Sequence, residues 1–214
     1  MKIVFLGSGG GGNLKFIHEI SKIDDSIEVV GLITDRLCGA MDYAIDNNIY
    51  TKKHSFIRSD IENQQLISIL KELSADLIIT NVHKILSESI VQNFEGKLIN
   101  LHYSYLPAFG GLIGMKPVDE AVNRGNKFIG VTCHEVNEIV DDGSTIAQGF
   151  FILSESENPY QSTFEIGAIT LLAGIQIKQK INVSSKSFFG TYIISPGITN
   201  YSVAQFKTIF NKLI

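Results

Sequence analysis

The sequence predicts an α/β fold: a mostly parallel sheet with helices on both faces and antiparallel strands toward the C-terminal half. Three observations predict it. Short continuous apolar runs alternate with segments of helical periodicity, the pattern of a parallel sheet covered on both sides. A run of glycines directly follows the first apolar segment. After residue 105 the texture changes, and two strand-like segments flank the turn cluster Asp141-Asp142-Gly143.

The elements follow in order. Lys2 to Gly7 is a short buried strand. Asn13 to Lys22 reads as a helix with Leu14, Ile17 and Ile20 on one stripe. Ile27 to Thr34 is a second buried strand, rich in Val and Ile. Cys38 to Asn47 carries Met41, Ala44 and Ile45 at helical spacing, and Asp60 to Leu73 carries Leu66, Ile67, Leu70 and Leu73 on one side. Asp76 to Thr80 and Leu98 to His102 are the third and fourth strands. Leu106-Pro107 and Gly110-Gly111 make a loop, and Lys116 to Arg124 is helical. Ile129 to Val136 and Thr145 to Leu153 are strands, Phe164 to Lys180 is a long helix, and a Ser-rich tail ends in an amphipathic helix.

Composition bounds the function. The chain has 214 residues, 44% hydrophobic and 19% charged, enough for a large core. Its formal net charge of -4 argues against a nucleic-acid partner, which needs a positive footprint. Cys38 and Cys133 stand far apart and outside any Cys-x-x-Cys, so neither a disulfide framework nor a zinc site is expected. The apolar run at the N-terminus is too short for a signal peptide, and no run reaches about 18 residues, so the expectation is a cytoplasmic protein without a membrane span.

Gly7-Ser8-Gly9-Gly10-Gly11-Gly12 lies between a strand and a helix. Bare backbone lets an anion approach, and a helix N-terminus offers it free N–H groups. The run also satisfies G-x-G-x-x-G through Gly7, Gly9 and Gly12, and Asp35 ends the second strand where a ribose-binding acid would stand. A nicotinamide-dependent (NAD) oxidoreductase is therefore an alternative reading.

Asn100 and His102 are two apart on a buried strand, so both side chains share one face near its carboxyl end. A polar pair there is costly unless hydrogen-bonded or in use. The segment from His102 continues as His-x-Ser-x-Leu-Pro and ends in Gly110-Gly111. Downstream come Gly130-Val131-Thr132-Cys133-His134 and then Asp141-Asp142-Gly143. His134 either lines the site or faces the core, and His18 and His54 are expected on the surface.

The Asn-x-His-x-Ser-x-Leu-Pro element with its spaced Asp-x-Gly resembles the folate-dependent formyltransferase family, most of all the branch acting on glycinamide ribonucleotide. The resemblance implies a Rossmann-like formyltransferase domain over residues 1–180, with 181–214 packed on it as an extension. It implies Asn100, His102 and Asp141 as the catalytic set. The co-substrate would be 10-formyltetrahydrofolate, held by Lys84, Ile85, Leu86, Val91, Val140 and Asp142. A small phosphorylated amine would lie on Gly11, Gly12 and Asn13, with Glu165 touching the ribonucleotide. Tyr103 stands where the branch usually has Pro, Gly12 where it has Ser, and His83-Lys84 where an Arg or Met-Arg is common. An amino-sugar nucleotide is therefore the alternative acceptor, and a homodimer is left open. The chemistry is attack by an amine on a formyl carbon, which leaves negative charge on oxygen. The Asn100 amide and a protonated His102 can both donate to that oxygen, while Asp141 pairs with the imidazole and relays protons.

Overall fold

The computed structural model describes residues 1–155 and 158–213, in two units. The first comprises Met1–Asn100 with Val136–Ile139, and the second Leu101–Glu135 with the chain from Val140 onward. In the first, β1 (Lys2–Gly7), α1 (Gly12–Ser21), β2 (Glu28–Thr34), α2 (Gly39–Asp46), β3 (Tyr50–Lys53), α3 (Asp60–Glu72), β4 (Leu77–Asn81), α4 (Glu88–Asn93) and β5 (Leu98–His102) follow one another. The strands are parallel in the order β3-β2-β1-β4-β5. Val4 and Leu6 of β1 join Leu66 and Leu70 of α3, Ile90 and Val91 of α4, and Ile78 and Leu98 in one buried cluster. Ile3 and Phe5, also buried, alternate to the opposite face, where α1 and α2 pack on β2 and on each other. The direction of winding reverses between β1 and β4, and a ligand crevice is expected beyond their carboxyl ends.

The second unit holds α5 (Lys116–Asn123), β6 (Phe128–Glu135), β7 (Thr145–Ile152), α6 (Pro159–Lys178), β8 (Ser187–Phe189), β9 (Tyr192–Ser195) and α7 (Val203–Leu213). The pairs β6–β7, β7–β9 and β9–β8 are all antiparallel. Helix α6 is apolar nearly all round, the mark of an interior helix. It begins a full turn before the expected Phe164, because Pro159 presets the first helical φ and the Asn158 side chain accepts from Tyr160 N and Gln161 N. Gly149, Gly167 and Gly174 let it sit close: a Cβ at Gly174 would stand 2.5 Å from Cys133 Sγ, and one at Gly149 2.4 Å from Thr170 Oγ1. The aromatic contact of Phe164 with Phe210 ties the chain after residue 181 to α6, and within that stretch Phe189 packs on Phe206.

Cross-strand partners share a face. Ile129, Val131 and Cys133 alternate together, and Cys133 meets α6, so Phe128 and its partner Ile152 point the other way. Phe150, Ile193 and Phe188 lie opposite one another on that same outer face. Phe128, Ile152 and Phe188 are each more than half exposed there.

The expected strands and helices are present. The expectation missed β3, α4, β8 and β9. It was also wrong for His54, which is buried: its Nε2 lies 3.0 Å from Glu62 O, and its Nδ1 accepts from Phe56 N. His18 is half-buried against the Tyr43 hydroxyl at 2.9 Å. Among the described residues no helix is long and apolar enough to cross a membrane.

Candidate active site

His102 is the last residue of β5 and is buried. Leu101 and Tyr103 flank it and pack toward Gly167 of α6, so alternation turns His102 away from that helix. Asn100, two residues earlier on the strand, shares its face and is half-buried. His102 Nδ1 lies 3.3 Å from Asp141 Oδ2. Its Nε2 donates to Phe109 O at 3.1 Å. Both ring nitrogens thus face oxygen atoms, one of a carboxylate and one of a backbone carbonyl.

Asp141 sits in the turn between β6 and β7 with φ 57, a left-handed conformation that Asp tolerates better than most residues. Its Oδ2 also accepts from Gly111 N at 2.7 Å. Asp142 is exposed, so Asp141 is the acid the turn delivers. The turn closes tightly: a Cβ at Gly143 would stand 1.7 Å from the Glu135 carbonyl oxygen. That contact gives the Asp-x-Gly spacing its steric reason. Ser104 is tied up within the loop. Its hydroxyl donates to Ala108 O within the loop.

In the first unit, the loop after β1 leads into α1 through Gly11, whose φ is 78, without a side-chain cap. The first backbone N–H groups of α1 therefore have no intrahelical partner, and the first turn carries no acid. A Cβ at Gly9 or Gly10 would meet nothing within 4 Å, and neither residue has positive φ, so internal packing does not require glycine there. Bare backbone at those positions fits close approach of an anion. Asn13 is buried and donates to Asn81 Oδ1 at 3.4 Å, which ties the loop to β4. Asp35 is held by Arg36 through both of its oxygens, at 2.9 and 2.6 Å. The Arg36 guanidinium, with help from Ser8, holds its carboxyl down at about 2. This ion pair accounts for Asp35 without a ribose.

Other residues fall as follows. Lys84 and Ile85 are exposed at the turn after β4, whereas Leu86 and Val91 are buried in the first unit's core. Val140 is exposed beside Asp141. Glu165, in the second turn of α6, accepts from Tyr192 Oη at 2.8 Å and Gln161 Nε2 at 2.9 Å. Sequence reasoning missed Phe109 O and Gly111 N, because backbone groups leave no residue signature. Arg58 donates to Leu86 O at 2.9 Å, which fixes the turn after β4. Sequence reasoning left His134 open. The structure turns His134 toward Asp141, with Nε2 3.7 Å from Oδ1. Buried Cys133 facing α6 is the signal that sends its neighbour the other way.

Comparison with known proteins adds the family. A family model described as formyl transferase matches residues 1–159. The chloroplastic phosphoribosylglycinamide formyltransferase of Arabidopsis thaliana is 31% identical over 168 residues, 74% of this chain and 57% of the relative. The formyltetrahydrofolate deformylase of Bacillus subtilis is 34% identical over 110 residues, 51% of this chain and 35% of the relative. The chain thus spans about half the length, 57% and 50%, of the two plant formyltransferases it matches. Among solved structures, phosphoribosylglycinamide formyltransferase from Anaplasma phagocytophilum superposes with a TM-score of 0.75 at 22% identity, over 94% of this chain and 96% of that one. Glycinamide ribonucleotide transformylase 1 from Geobacillus kaustophilus does so with 0.68 at 25%, over 80% and 98%. The structural likeness carries the fold. A sequence match that takes in the glycine loop, the end of β5 and the turn bearing Asp141 places this chain in the formyl transferase family.

Proposed function

We propose that the protein transfers a formyl group from 10-formyltetrahydrofolate to the primary amine of glycinamide ribonucleotide, a step of purine synthesis. The observation that carries this reading is the His102–Asp141 pair at 3.3 Å, which joins the Asn-x-His strand to the Asp-x-Gly turn. The relatives' names supply the acceptor, and the bare Gly9-Gly10 backbone suits its phosphate. The donor supplies an electrophilic formyl carbon and a nitrogen leaving group. Ile85 and Val140 are exposed apolar side chains on turns whose backbone edges suit a pterin's alternating donors and acceptors.

Asn100 and His102 donate hydrogen bonds to the formyl oxygen as it gains charge. His102 Nδ1 is committed to Asp141, so Nε2 is the nitrogen that serves the substrate. It does so once it gives up the Phe109 carbonyl. Asp141 receives the proton the amine loses and returns it toward the departing nitrogen. No residue needs to bond covalently to the formyl group.

The test is an assay of 10-formyltetrahydrofolate with glycinamide ribonucleotide and with several amino-sugar nucleotides. Formylated glycinamide ribonucleotide alone is the expected product, and His102→Ala is expected to lower turnover by about 100-fold or more. Formate release without any formylated amine would reject the reading in favour of hydrolysis.

We also infer a homodimer built on the outer face of the antiparallel strands. An open antiparallel face is ordinarily polar. Here Phe128, Ile152, Phe150, Ile193 and Phe188 occupy it. With large side chains about half exposed, the face offers roughly 400–500 Å² per copy. Two such faces bury on the order of 800–1,000 Å², the low end for a specific contact, so association is expected to be weak. Two free cysteines support a reducing, cytoplasmic setting.

A further inference from the structure

We propose that Ser8 is a positioning residue of the active site: its hydroxyl ties the glycine loop to the turn after β4, so that one hydrogen bond sets the acceptor's phosphate site and the donor's folate site together. This rests on the formyl-transfer reading and adds a residue to it.

From Gly7 to Gly12, Ser8 alone has a side chain. It is 5% exposed, whereas Gly9 and Gly10 beside it are open to solvent. A buried hydroxyl in a run otherwise stripped of side chains needs a hydrogen-bonding partner. It finds one 75 residues away. The parallel ladder of β1 and β4 ends at Gly7 opposite Asn81. Just beyond, Ser8 Oγ accepts from His83 N at 3.2 Å and carries the link past the last rung. The hydroxyl keeps its own proton to give, and the Asp35 carboxylate, next after β2, takes it. Ser8 thus gathers the ends of three neighbouring strands, β2, β1 and β4, where the crevice is expected. All of these residues belong to the first unit.

The two binding segments start directly from this bond. Gly9 follows Ser8 and begins the bare backbone that suits a phosphate. Lys84 and Ile85 follow His83 and form the turn that suits a pterin. Arg58 holds the far end of that turn through Leu86 O at 2.9 Å, and Ser8 holds the near end. A longer contact, Asn13 Nδ2 to Asn81 Oδ1 at 3.4 Å, runs beside the Ser8 bond. With the tie in place, both segments are set before a substrate arrives. Without it each samples other positions, and each substrate's apparent affinity falls with the fraction of time its site is formed.

Ser8→Ala tests this without unfolding the chain, since the freed N–H belongs to exposed His83 and water can take it. Tm is expected to fall by no more than about 4 °C. KM is expected to rise about 5-fold for donor and acceptor alike, the effect of one hydrogen bond, with kcat changed less than about 2-fold. Gly9→Ala, by contrast, touches the acceptor's site only. Either KM unchanged in Ser8→Ala would overturn the proposal, because a role in folding alone moves Tm and not both constants. Amide hydrogen exchange reads the bond itself: His83 N–H is expected to exchange about 5-fold faster in Ser8→Ala, and equal rates would overturn the proposal whatever the kinetics. If wild-type protein formylates no amine, the formyl-transfer reading falls by itself. The tie is then read from the Kd of inorganic phosphate and of 5-formyltetrahydrofolate, each expected to weaken about 5-fold in Ser8→Ala. Equal affinities in the two proteins, or binding of neither probe, would overturn it too.

Discussion

A glycine two places after a carboxylate looks incidental until its missing Cβ is built. At Gly143 that atom would penetrate the Glu135 carbonyl, so any side chain forces the Asp141 turn to move. Gly143→Ala is expected to cost about 1–3 kcal/mol of stability, as overpacking does. It is also expected to reduce kcat by about 100-fold through the displaced carboxylate. Thermal melts and steady-state kinetics check both, and wild-type turnover in Gly143→Ala would show that the turn is not what sets Asp141. The meeting of His102 with Asp141 could be anticipated because their types and spacings are unusual for a strand end and a turn. The burial of His54 could not, because its partners include backbone groups of Phe56 and Glu62 that no spacing announces. Tyr103, where Pro is usual, has a packing reason: its ring lies against Gly167, where a Cβ would come within 2.9 Å. That departure says nothing about the acceptor, because the side chain points toward α6 and away from His102.

Among elements, the loop between β1 and α1 separates two kinds of glycine. Gly11 serves the fold: its φ is 78, and a Cβ there would meet Ala40 at 2.8 Å. Gly9 and Gly10 face open space. Gly9→Ala and Gly10→Ala are therefore expected to shift Tm by no more than about 2 °C. If the loop holds the acceptor's phosphate, they raise the acceptor KM by about 10-fold with little change in kcat. An unchanged KM in both would remove the loop from substrate binding. The longer strands and helices could be read from their periodicity, since each buries a face of its own. The unread elements have no such face. β3 has four residues, mostly exposed, and β8 and β9 lie in a Ser-rich tail with three and four. They exist because an existing strand offers its edge, and single-segment patterns do not carry that information.

For the whole molecule, the division falls inside β5, between Asn100 and Leu101. The sequence foretold parallel strands before that point and antiparallel ones after it, because continuous apolar runs give way to a hairpin with a recognisable turn. The apolar outer face could not be foreseen, since it appears only when β6, β7, β9 and β8 are set in register. If that face joins two copies, light scattering should show mass rising with concentration toward twice the monomer. Phe128→Asp and Phe188→Asp are expected to hold the protein at monomer mass with little loss of stability, both side chains being exposed. A wild-type protein that stays monomeric at every concentration would remove the dimer.

The close seating of α6 on β6 has a chemical consequence. Cys133 Sγ lies against Gly174, too close to leave room for a Cβ there, and burial pushes the thiol up to about 12. Only the thiolate is reactive, and at neutral pH that sulfur holds its proton. Beneath the helix it behaves as one more hydrocarbon, deaf to peroxides and alkylating agents for as long as the lid of α6 stays shut.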